Sequence, residues 1–160
     1  MAQLQDFLTT WENEFRTTLR VFSAFPAERL DYRPHEVSKT ARELMWTIVS
    51  CDADCVTGCV RGKIAWGAPK SPKTKEALIH EYKKIHQNML KKVKQVGEDL
   101  FLKKLAFPVA KGKMGEISGK DLLWIMLHDE IHHRGQLSVY LRLVGAKVPS
   151  IYGPSADEPW

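Results

Sequence analysis

Apolar residues recur at three- and four-residue steps in four stretches of the chain, the period of one face of an α-helix. Over residues 3–25 the stripe is Leu4, Leu8, Trp11, Phe15, Leu19 (or Thr18) and Phe22. A second stretch opens at Thr40, three residues before Glu43, which is the spacing of a capping box, and it lasts to about Gly62. The third, over residues 73–96, carries Leu78, Tyr82, Ile85, Met89, Val93 and Val96 opposite a face rich in lysine and glutamate. The fourth spans residues 120–144 and stops at Gly145, a natural C-cap. The segment "FPVAKGKMGEISGKD" reads as an irregular link, because prolines and glycines interrupt it and no strand pattern stands out. The pattern predicts an all-α fold, a four-helix bundle with long connections. The tail "KVPSIYGPSADEPW" is too rich in proline and glycine for helix, and Ile151, Tyr152 and Trp160 predict that it packs back on the bundle.

At 160 residues the chain suits one domain spanning 1–160. Hydrophobic residues at 44% and charged ones at 27% place it among soluble globular proteins. The opening residues lack the basic start and apolar block of a secretory leader, and Asp52 and Asp54 break the most apolar stretch, so no membrane partner is expected. Cys51, Cys55 and Cys59 are odd in number and four residues apart, which argues against a disulfide framework and for a reducing, cytoplasmic setting. They read as small core fillers. A net charge of +5 is spread over lysines of helix and loop without a base-reading motif, so nucleic acid is not an expected partner.

The densest chemistry lies in "LHDEIHHRGQLSVY", residues 127–140. On a helical wheel with Glu130 at zero, the apolar arc of the fourth helix centres at about 265°, with Asp129 near its middle and His133 about 35° away. Glu130, Arg134, Ser138 and Arg142 fall on the expected solvent face. Asp129 and His133 are four residues apart and stack on one face, whereas His128 and His132 turn aside. A carboxylate amid a core stripe must be hydrogen-bonded, paired or bound to a metal. Two readings follow: a polar network of Asp129, His133, Gln136 and Tyr140, or two ligands of a metal site. The wheel of the second helix puts Asp52 at the centre of its inward face, where it could meet that pair across the bundle. Gly135 suggests a close helix contact or room beside a pocket. His35, His80 and His86 read as surface residues.

The stretches "LDYRPHEVSKTARELMW" and "HHRGQLSVYLRLVGAKVPSIYGPSADE" resemble the DinB-like (damage-inducible, YfiT-related) proteins, with the same helix order over essentially the whole chain. The resemblance implies a homodimeric four-helix bundle and a zinc or nickel site made by one histidine on the second helix and an HxxxH pair on the fourth. Those positions are Thr47, Asp129 and His133 here, with Asp52 the nearest substitute for the first. Characterised relatives include thiol-dependent S-transferases and a maleylpyruvate isomerase. The expectation is therefore a metal-dependent hydrolase or thiol S-transferase acting on a small molecule, with a divalent metal (zinc, nickel or manganese) on Asp129, His133 and Asp52. The alternative is a metal-free, ligand-binding or stress-associated dimer with a buried polar network. Catalytic residues stay unassigned.

Overall fold

The computed structural model describes residues 2–67 and 69–159. In chain order it has α1 (Ala2–Ala24), a 3-10 turn (Ala27–Arg29), α2 (Ala41–Arg61), α3 (Lys75–Val96), α4 (Asp99–Leu102), β1 (Lys104–Ala110), β2 (Lys113–Ser118) and α5 (Gly119–Leu143). The capping box at the start of α2 forms as its spacing predicts: Glu43 N–H donates to Thr40 Oγ1, and Thr40 N–H to the Glu43 carboxylate. Gly62, with φ 77°, closes the helix in the left-handed conformation. Thr74 and Ser118 cap α3 and α5 through their hydroxyls.

The four long helices match the four periodic stretches. Each packs on two others, α1 and α2 both touching α3 and α5. Their apolar faces form two clusters. One gathers Phe7, Trp11, Leu100 and Leu122 near α4, and the other Phe22, Met45, Leu78 and Leu137 toward the far end. The fold is thus mostly helical but not all-α. The link read as irregular is an antiparallel hairpin, pairing Leu105 with Ile117 and Phe107 with Gly115. Leu105 is buried and alone contributes about 1.5–3 kcal/mol by burial. Pro108 and the exposed outer positions weaken the strand signal in the sequence, since proline is confined to edges and bulges. Gly119 joins hairpin to helix. A Cβ there would stand 2.0 Å from the carbonyl oxygen of Leu100, so the junction requires glycine.

Helix α5 is turned relative to the expected wheel. Glu130 and Arg134, assigned to the solvent face, are each 1% exposed, while Ile125, Val139 and Leu143 are exposed. Burial of Arg134 is possible because its charge is paired, whereas Glu130 is hydrogen-bonded at Oε1 and has no partner at Oε2. Arg134 pairs with Glu14 at 2.5 Å and donates to Thr18 Oγ1 and the Tyr152 hydroxyl. Tyr82 donates to Glu130 at 2.8 Å. His86 also departs from expectation: it is buried, stacked on Phe15 at 3.8 Å, and its pKa is lowered to about 4 by burial. It stands four residues after Tyr82 and three before Met89, on the buried stripe of α3, a spacing that the reading as a surface residue passed over. His35 and His80 are exposed. Gly135 meets nothing within 4 Å, so no close helix contact accounts for it.

The tail does return to the helices. Ile151 packs on the second cluster, Tyr152 donates to Glu14, Arg20 pairs with Glu158 and Arg142 with Asp157. Trp160 lies outside the described residues. Among the described residues, no helix is long and apolar enough to cross a membrane.

Candidate active site between α2 and α5

Between α2 and α5 the packing leaves a cavity of about 350 Å³. α2 lines it with Thr47, Cys51, Asp54 and Cys55, and α5 with Met126, Asp129 and His133. Trp66 and Phe107, from the loop after α2 and from β1, complete the wall. The hairpin thus does more than connect helices. Gly67 N–H donates to the Asp54 carboxylate and ties the Trp66 loop to α2, while burial pushes the Asp54 pKa up.

Asp129 and His133 meet as their four-residue spacing predicts. Oδ1 and Nε2 are 3.4 Å apart, with Asp129 more exposed than His133. On the other side of the ring, His133 Nδ1 is 3.0 Å from Gln136 Oε1, and Gln136 Nε2 is 3.1 Å from His132 Nε2. An amide nitrogen donates, so Gln136 spends its N–H on His132 and presents its oxygen to His133 Nδ1–H. That bond leaves Nε2 to face the Asp129 carboxylate. Tyr140 does not join this chain, because its hydroxyl donates to the carbonyl oxygen of Lys39.

A second cavity of about 410 Å³ lies along Lys39, Leu44, Gln136 and Tyr140, and His133 lines both cavities. Lys39 Nζ donates to Thr47 Oγ1 at 2.6 Å, so an ammonium stands at the hydroxyl of Thr47. Lys39 escaped the sequence reading, because its position in an exposed loop carries no periodicity. The cysteines were legible only as a four-residue repeat. In the structure Cys51 is half-buried and Cys55 buried, with Sγ atoms 3.8 Å apart on the cavity wall.

Asp52 is buried as expected but does not join Asp129 and His133 at the cavity. Trp11 Nε1 of α1 donates to its Oδ2 at 3.4 Å, and its Oδ1 has no hydrogen-bond partner. Burial first, then the nearby Glu130 carboxylate, holds the Asp52 pKa well above the usual range. Glu130 is raised too, by burial, against the lowering effect of hydrogen bonds from Thr18 and Tyr82 and the charge of Arg134. Among the described residues, no group of three His, Cys, Asp or Glu side chains could hold a metal ion. The cavity offers Asp129 and His133 as two neighbouring donors, and Thr47 already accepts a cationic hydrogen bond. These residues do not fit a three-ligand centre.

The DinB family model matches residues 1–159. The chain belongs to the DinB family. It is 23% identical over 159 residues to the uncharacterized protein YrdA of Bacillus subtilis, covering 97% of this chain and 91% of that one. Its fold is similar to that of a DinB-like protein from Bacillus cereus, with a TM-score of 0.75 and 22% identity over 92% of this chain and 97% of that chain. It is also similar to a mycothiol-dependent maleylpyruvate isomerase, with a TM-score of 0.62 and 11% identity, covering 91% of this chain and 64% of that chain. At these identities the structural likenesses establish the fold alone.

Proposed function

We propose that the chain is a thiol transferase in which one cavity takes a small electrophile and the other an anionic low-mass thiol. The observation that carries this reading is His133 on the wall common to both cavities, with Asp129 beside Nε2. The apolar wall of Phe107, Leu122 and Met126 suits the electrophile. The Lys39 ammonium suits a carboxylate of the thiol. His133 Nε2 takes the S–H proton, Asp129 stabilises the imidazolium, and the thiolate attacks the electrophilic carbon. The proton then returns to the adduct or to the leaving group. The fold-level likeness to a mycothiol-dependent isomerase accords with a thiol substrate.

The test is thiol consumption by the tag-free chain, with glutathione, cysteine or a sugar thiol paired with an aryl halide. General acid–base catalysis is worth about 10²–10⁴-fold, so His133→Ala should lose at least about a hundredfold in kcat/KM. Turnover unchanged in His133→Ala, or absent with every thiol, overturns the reading.

A further inference from the structure

The loop after α2 holds a tryptophan where the fold gains little from it. Trp66 is 56% exposed and, among the described residues, stands outside both core clusters, yet it lines the cavity between α2 and α5. A side chain that large contributes most to stability when it is buried. The loop is nevertheless pinned on either side of it. Ile64 packs so closely on Gly58 that a Cβ there would stand 2.7 Å from Ile64 Cγ1. Trp46 Nε1 donates to the carbonyl oxygen of Pro69 at 2.7 Å, and Gly67 N–H donates to Asp54. The chain thus fixes an exposed indole at the rim of the cavity. Phe107 reaches the same cavity from β1, where it pairs with the bare backbone of Gly115. Met126 adds a thioether to this wall, and Cys51 and Cys55 add thiols. Aromatic side chains attract another ring beyond the effect of buried area, and thioether sulfur does the same. A saturated hydrocarbon gains only area from such a wall.

We propose that this cavity is a binding site for a flat aromatic ring, held by Trp66 and Phe107, and that Trp66 is the residue that selects it. The proposal deepens the reading above and rests on it in one respect: the electrophile of the transfer is then an aromatic one. The ring site itself needs neither a thiol nor turnover. At about 350 Å³ the cavity lies within the size range of small-molecule sites. An exposed indole pinned at its rim gives such a ligand a surface to stack on, and ligand binding removes that indole from water.

The test compares naphthylmethanol with decahydronaphthylmethanol by isothermal titration calorimetry on the tag-free chain. The two probes share a carbon skeleton and a hydroxyl, and differ in flatness and in π electrons. An apolar cavity without ring recognition favours the saturated probe, which takes more hydrocarbon out of water. The ring site predicts the reverse: naphthylmethanol binds more than about fivefold tighter, and Trp66→Leu, which keeps an apolar side chain, loses that preference. Because Trp66 stands outside the core clusters, thermal unfolding of the variant should match the parent. Neither probe is an electrophile, so the two proposals fail separately. Thiol turnover without ring preference removes the ring site and spares the transfer, and ring preference without turnover does the opposite. Equal or tighter binding of the saturated probe, a preference that survives Trp66→Leu, or binding of neither probe overturns the proposal.

Discussion

Replacing Arg134 by alanine tests which face of α5 points inward. The Arg134 side chain is 2% exposed and that of Glu14 10%. Removing the guanidinium strands the Glu14 carboxylate in the interior with Tyr152 as its remaining side-chain donor. Breaking one partner out of a buried pair costs about 3–5 kcal/mol. For 160 residues the unfolding entropy near the midpoint is about 0.34 kcal/mol per degree, so Tm should fall by about 9–15 °C. Were Arg134 on the solvent face, the change would stay within about 0.5 kcal/mol, or about 2 °C. The assay is thermal unfolding followed by circular dichroism at pH 7, with Arg134→Met/Glu14→Leu alongside. The double variant replaces both charges by apolar groups and should recover most of the loss. A fall below about 2 °C for Arg134→Ala refutes the buried pair and the helix orientation that rests on it.

Three further outcomes follow. Asp52 and Glu130 have raised folded-state pKa values, so the folded chain binds more protons than the unfolded one above about pH 4, and stability should fall as pH rises from there toward the folded pKa values. Asp52→Asn keeps an acceptor for Trp11 and should flatten that decline in urea midpoints; parallel profiles for parent and variant would contradict it. Gly135→Ala meets open space and should stabilise α5 by about 0.5–1 kcal/mol, read as a higher urea midpoint. Lys39→Met should raise KM for an anionic thiol while leaving kcat within about threefold, and an unchanged KM would remove Lys39 from recognition.

The long helices were legible because their stripes and the Thr40–Glu43 box act locally, and local signals survive in one dimension. The orientation of α5 was not. Glu130 and Arg134 look like surface charges until Tyr82 and Glu14 arrive from other helices to partner them, and the exposed Ile125, Val139 and Leu143 pull the apparent apolar arc away from the true one. The hairpin escaped because its buried side chains are few and Pro108 interrupts the run. At the site, Asp129 and His133 were readable from a single helical turn. Lys39, Phe107 and Trp66 reach the cavities from loop and strand, and nothing in their local spacing signals it.

The central claim is that a ligand meets His133 between the two cavities. It is tested most directly by long-range nitrogen–proton spectra of the histidine rings during titration with an anionic thiol. The account predicts that the His133 signals move first and saturate, and that Lys39→Met shifts the midpoint to higher thiol concentration. Saturable binding that leaves the His133 signals in place, or moves only exposed His35 and His80, would contradict it.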